Sequence, residues 1–214
     1  MRTSLAEQIA PPRSREENRV FRRESLIRSA IVTVARYDIA GATVERICHG
    51  AGASRGLIAH YFDSKEELLL AAAAETFDAQ SMAVKQRIAE ATALPAVERI
   101  KQMAKSSFEP PIYDLDKIAA WQAFTNASRS QASFNEVIRS VSEHLRELYE
   151  PVLAAAAAEH NRPIDTESAA LGLIAVIDGL WTSLATGRDS LMPEDAIRIT
   201  EHFIDGCLMN RALS

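Results

Sequence analysis

The sequence predicts an all-α protein of about nine helices, a small three-helix unit followed by a larger helical bundle. Three observations carry that expectation. Apolar residues recur at intervals of three and four over long stretches, which is the spacing of one helix face. Only eight glycines punctuate 214 residues, and alternating apolar-polar runs of the β type are few. The stretch 43–65, TVERICHGAGASRGLIAHYFDSK, reads as two short helices over a tight glycine turn, with a third helix starting behind them.

Composition narrows the class. A chain that is 47% hydrophobic and 25% charged is an ordinary globular sequence, which sets aside a disordered one. No apolar stretch is read as approaching the ~20 residues of a bilayer span, and the first residues lack the apolar core of a secretory signal. The expectation is a cytoplasmic protein without a membrane partner. Cys48 and Cys207 lie far apart, so a reducing compartment is expected and a disulfide framework is not. The net charge of −5 is unevenly spread, with residues 1–64 at +3 and the remainder at −8. A basic module on an acidic body is the asymmetry of a protein that meets phosphate at one end.

Residues 1–15 contain Pro11-Pro12 and read as a flexible basic arm. Arg13 and Arg15, with Arg19, Arg22 and Arg23 beyond them, either follow phosphates or form a solvated tail. From about Glu16 to Ile39, Val20, Leu26, Ile27, Ala30, Ile31 and Val34 mark an amphipathic helix, and Gly41 suits its C-terminal cap. Thr43 can cap the next helix, where Val44, Ile47 and Cys48 form an apolar stripe. Gly52 stands where a left-handed turn is needed, and Ser54 can cap the helix after it. Two helices crossing over such a turn form a helix-turn-helix, whose second helix enters the DNA major groove. Residues 16–63 are therefore expected to be a DNA-binding domain.

Asp63 or Ser64 can cap a long helix to about Ala91, with Glu66 and Glu67 at the favourable end of its dipole. That helix is a lever joining the DNA-binding domain to residues 64–214, the expected ligand-binding and dimerisation domain. Helices follow at about 96–107, 114–128, 131–159, 165–186 and 193–211. Pro110-Pro111 breaks the chain between the first two, and Pro151 predicts a kink near 148–150.

The helix-turn-helix resembles that of TetR-family transcriptional regulators. The shared pattern is filled by Thr43, Ile47, Ala51, Gly52, Ser54, Gly56, Ile58, Tyr61, Phe62, Lys65 and Leu68. The resemblance implies a repressor that sits on a palindromic operator as a homodimer and is released by a small-molecule effector. Carried over residue by residue, it implies DNA contacts by Thr43, Ser54, Arg55, Gly56, Leu57, His60, Tyr61 and Lys65. Arg55 suits bidentate contact with guanine, whereas Thr43, Tyr61 and Lys65 suit phosphates. Leu57 and Ala59 depart from the Thr and Tyr frequent at those positions. His60 has a second reading, as a ring packed inward against the first helix.

In the C-terminal half, AAWQAF (119–124), LIAVIDGLW (173–181) and ITEHFIDG (199–206) resemble the BetI-type branch of the same family. Those regulators repress genes for making glycine betaine from choline, and choline relieves the repression. The resemblance makes a quaternary ammonium the candidate effector, and aromatic faces with a nearby carboxylate recognise such a cation. Phe108, Tyr113, Trp121, Phe124 and Trp181 are the available rings, with Asp178 and Glu109 as acids. Asp178 lies in an apolar helix, where an unpaired carboxylate is costly. It serves either a ligand cation or hydroxyl, or a pairing across the dimer with His202, Arg198 or a backbone amide. The dimer interface is expected from the last two helices through Gly172, Val176, Gly179, Leu180, Ile199 and Phe203.

Enzymatic readings find little support. Histidines 49, 60, 144, 160 and 202 have no metal-ligand spacing, neither cysteine has a neighbouring partner, and no phosphate-cradling glycine loop is present. No cofactor and no metal are expected. Cys48 in the DNA-binding domain raises a redox sensor as a rival, and its apolar position argues for a buried, inert thiol.

Overall fold

The computed structural model describes residues 14–187 and 190–209. Nine α-helices are found among them: α1 (Arg15–Gly41), α2 (Val44–Ala51), α3 (Arg55–Tyr61), α4 (Lys65–Glu90), α5 (Ala96–Ser106), α6 (Leu115–Ala127), α7 (Ala132–Glu159), α8 (Thr166–Thr186) and α9 (Pro193–Met209). The arm 1–13 and the expected helix end at Arg211 lie outside the described residues.

Local hydrogen bonding explains where the helices start. Ser14 and Glu17 form a reciprocal capping box at α1, with both bonds at 3.0 Å. Thr43 accepts from the Arg46 amide at α2, and Ser64 and Asp114 do the same for α4 and α6. Asp165 caps α8 through the Ser168 amide. Each of these side chains satisfies a first-turn N–H that has no partner inside the helix. Ser54 occupies the cap position of α3 but makes no side-chain cap bond, so that expectation fails and α3 is held by packing.

Gly52 closes α2 in the left-handed conformation at φ 59°, a backbone that other residues adopt only with strain. Gly41 does not play that part for α1. The positive φ falls on Asp38 (φ 60°), whose carboxylate accepts from the Ile39 amide at 2.7 Å.

The helices share one continuous core. α1 packs on α2 and α4, and its most extensive contact is with α6. The helix-turn-helix is thus joined to the bundle through α1 as well as through α4. Ser29 on α1 donates to the Ile47 carbonyl of α2 at 2.7 Å, a buried bond that fixes the two helices together. Behind them, α7 touches α4, α5, α6 and α8, and α9 closes the bundle against α5 and α8. Tyr149, Phe124, Phe134 and Leu153 are among the large side chains sealed at its centre.

One composition reading is corrected here. By length and hydropathy alone, α8 is apolar enough to cross a membrane. Ala169, Ala170, Leu173, Ile177, Trp181 and Leu184 are buried within the bundle, and the other face is partly open.

Candidate functional site

Two regions carry the chemistry, an exposed face on α2 and α3 and a small cavity inside the bundle. On the first, Thr43, Ser54, Arg55, Gly56 and His60 are exposed, while Leu57, Tyr61 and Lys65 are half-buried. Ile58 and Phe62 are the buried anchors of α3. His60 stands edge-on to Tyr61 with centroids 4.9 Å apart, and its exposure removes the inward-packed reading. Leu57 leans on the core and is less exposed than Arg55 and Gly56. Arg55 forms an ion pair with Glu45 of α2, a residue the sequence reading did not select. Arg46 is engaged elsewhere: it donates to the Gly41 carbonyl at 2.7 Å and stands over the Tyr37 ring. Cys48 is buried beneath this face, and burial pushes its thiol pKa up despite the Arg55 charge. That protonated thiol is a poor redox sensor.

The cavity lies between α4, α6 and α8 and is lined by Thr76, Phe77, Ile112, Lys117, Ile118, Trp121 and Trp181. Its volume is about 20 Å³, room for about one water. The two indoles are fixed from behind. Trp181 donates its Nε1–H to the Ser107 carbonyl at 2.9 Å, and the Trp121 indole lies close enough to the Asp178 carboxyl to hold its pKa down. Phe77 of α4 meets Trp121 from the other side.

Asp178 is mostly buried, and desolvation raises its pKa to about 6 against the lowering effect of the Trp121 indole. Within the chain the group that favours its ionised form is the Trp121 indole of α6, and among the described residues no ion pair joins it to His202 or Arg198 of α9. Arg198 pairs with Asp195 at 2.8 Å. Asp178 does not line the cavity; it lies beside Trp121, one of the rings that do. Nearby, burial pushes the Tyr149 hydroxyl up to about 12. Tyr149 and Ser107 are packed side by side in this buried layer.

Several expected ligand contacts fall elsewhere. Phe124 is fully buried and stacks on Phe134 at 5.7 Å. Phe108 is core, and Tyr113 is half-buried outside the cavity. Glu109 is taken by Lys105 and Arg87 at 3.3 and 3.5 Å. The aromatic run of the sequence could not distinguish these rings, because all are apolar and face inward. Phe77 and Lys117 were missed as lining residues. Lys117 donates to the Pro111 carbonyl at 3.2 Å and also borders a larger cleft of about 440 Å³ against α1.

The expected dimer face divides. Gly172 packs within the chain: a Cβ there would come within 2.7 Å of Phe203 Cζ, so this glycine and Phe203 seat α9 on α8. Leu180 is half-buried against the core, and Val176 is half-buried. Gly179 has nothing within 4 Å of an added Cβ, and Ile199 is exposed. Leu171, half exposed on the same side of α8, was not anticipated.

Comparison with known proteins agrees with this layout. Residues 26–83 match the bacterial regulatory proteins of the TetR family, and residues 96–209 match the C-terminal region of BetI-type transcriptional repressors. The transcriptional regulator BetI of Pseudomonas aeruginosa PAO1 is 28% identical over 188 residues, covering 86% of this chain and 92% of that protein. BetI of Paraburkholderia phymatum is 29% identical over 195 residues, covering 91% and 96%. Among solved structures, a transcriptional regulator from Pseudomonas aeruginosa PAO1 superposes with TM-score 0.77 at 28% identity, covering 91% of this chain and 92% of that one. A regulator from Saccharomonospora viridis, solved in complex with choline, superposes with TM-score 0.76 at 19% identity, covering 90% and 100%.

Proposed function

The chain belongs to the TetR family of bacterial transcriptional regulators, with a C-terminal half of the BetI type, and from that premise we propose a choline-responsive repressor. Residues 16–63 meet the operator, residues 64–214 bind the effector and dimerise, and the effector is choline or a related quaternary ammonium. The protein regulates transcription and is not an enzyme.

The observation that carries the effector reading is the pair of tryptophans fixed around one cavity against α4. Trp121 and Trp181 offer aromatic surface to a cation, and the Asp178 carboxylate behind Trp121 adds negative potential. At about 20 Å³ the cavity is too small for choline. Binding therefore requires one wall to give way, and we infer that it is α4, which contributes Phe77 and Thr76. The same helix begins at Lys65, three residues after Phe62 of the recognition segment. A ligand that favours the opened state shifts the spacing of the two recognition helices away from the ~34–36 Å of successive major grooves. Gly179, Leu171 and Ile199 support a dimer face on α8 and α9, one that Gly172 and Phe203 build from behind.

Lys117 favours a second reading. A cationic side chain beside the cavity suits an effector that also carries a carbonyl or carboxylate. The experiment follows the fluorescence of Trp121 and Trp181, the two tryptophans of the chain, during titration with choline, betaine aldehyde and glycine betaine. A saturable change with choline, together with release of a bound operator duplex, supports the first reading. A response to glycine betaine alone supports the second. Silence from all three removes the quaternary-ammonium assignment and leaves the family membership untouched.

A further inference from the structure

We propose that Glu45 is a specificity-determining residue for DNA, holding the Arg55 guanidinium at the start of the recognition helix and restraining it from indiscriminate phosphate binding. The inference rests on the proposed DNA-facing role of α3.

The ion pair bridges the glycine turn, from the first turn of α2 to the first residue of α3. Both side chains are more than two-thirds exposed, 69% for Glu45 and 68% for Arg55. A pair that open to solvent adds little to fold stability, so the fold does not account for it. Its position does. Thr43, Ser54, Gly56 and His60 are exposed on the same two helices, and Glu45 places a carboxylate among groups expected to face phosphate. An acid there opposes DNA binding in general.

Of the two arginines on α2 and α3, Arg46 is committed to the Gly41 carbonyl and the Tyr37 ring. Arg55 is the guanidinium left for a base edge. Glu45 engages its Nη2, and a guanidinium has five donors in a planar fork. The remaining donors stay available for the O6 and N7 of guanine. An untethered arginine would settle on whichever phosphate is near. A tethered one is pre-aimed, and loses its carboxylate partner if it swings to the backbone. Affinity is given up for discrimination, which is how repulsive elements produce specificity.

The test uses the full-length protein, a duplex selected by the wild type from a randomised pool, and an unselected duplex of equal length. Variants are Glu45→Ala, Glu45→Gln, Arg55→Ala and the Glu45→Ala/Arg55→Ala double. Glu45→Ala is expected to bind the unselected duplex about tenfold tighter, with a log K against log salt slope steeper by about one. The selected-to-unselected ratio falls by about the same factor. Glu45→Gln keeps an acceptor for the guanidinium and removes the charge, so it retains the wild-type base preference while its unselected binding rises. In the Arg55→Ala background the alanine at Glu45 leaves the ratio unchanged. An unchanged ratio in Glu45→Ala, or an equal loss in the Arg55→Ala background, overturns the proposal. Selection of no duplex by the wild type would instead strike the DNA-binding reading beneath it. Unaltered melting temperatures for the Glu45 variants are expected from its exposure and exclude misfolding as the cause.

Discussion

The ring of Phe77 on α4 meets that of Trp121 on α6 edge to face, with centroids 4.0 Å apart and planes inclined at 80°. This contact joins the lever helix to the cavity it helps to close. Aromatic pairs of this geometry contribute about 0.5–1.5 kcal/mol beyond their buried area, and an effector entering the cavity has to disturb this one.

Phe77→Leu is therefore expected to enlarge the cavity, tighten effector binding, and weaken its coupling to operator release. The full truncation, Phe77→Ala, is expected to cost about 3–5 kcal/mol of stability as well. Effector affinity measured with and without bound operator gives the coupling directly. A Phe77→Leu protein with wild-type coupling would show that α4 does not transmit the signal, leaving the α1–α6 contact as the route.

Asp178 predicts a pH dependence with a definite sign. Burial lifts its pKa from 3.8 to about 6, so between those values the folded chain keeps a proton that the unfolded chain has lost. The stability associated with the protonated form is complete below about pH 4 and lost as pH rises through 6. Asp178→Asn stays neutral throughout, so relative to it the wild type should lose up to about 3 kcal/mol between pH 4 and pH 7.5. Urea melts of both proteins across that range measure the difference. A constant difference would mean that the carboxylate is compensated in the folded chain. Saturating choline at pH 7.5 should narrow the gap, because a bound cation favours the ionised form.

Trp181→Phe removes the donor to the buried Ser107 carbonyl. An unpaired buried acceptor costs about 1–3 kcal/mol, and the ring loses its orientation. Thermal melts are expected to show destabilisation in that range, and effector titration a weaker affinity. Wild-type stability would indicate that water takes the place of the indole N–H.

The two glycines of α8 should behave oppositely. Gly172→Ala drives a methyl into Phe203, an overpacking that typically costs about 1–3 kcal/mol. Gly179→Ala meets nothing within the chain and gains about 0.5–1 kcal/mol of helix preference. If the partner packs at Gly179, sedimentation will show weaker self-association for that variant despite its sound fold. Equal association of Gly179→Ala and wild type would move the dimer contact away from this face.

How legible these features were depends on the distance over which each is encoded. The cap at Thr43, the choice of Asp63 or Ser64 ahead of α4, the left-handed turn at Gly52 and the all-α class could be read directly. Each arises from hydrogen bonds or periodicity within about four residues. The two tryptophans of the cavity could be named for the same reason, as rings on apolar helix faces. The sequence alone determined the helices, the helix-turn-helix and the family. Tertiary structure decided that Asp178 faces an indole on α6, that Phe124 and Phe108 serve the core, and that Gly172 seats Phe203 of its own chain. It also decided that Arg55 is held by Glu45 and that α1 lies along α6. Which of several similar apolar faces meets which neighbour is settled only when the helices pack together, because hydrophobic attraction has no direction and close packing admits few arrangements.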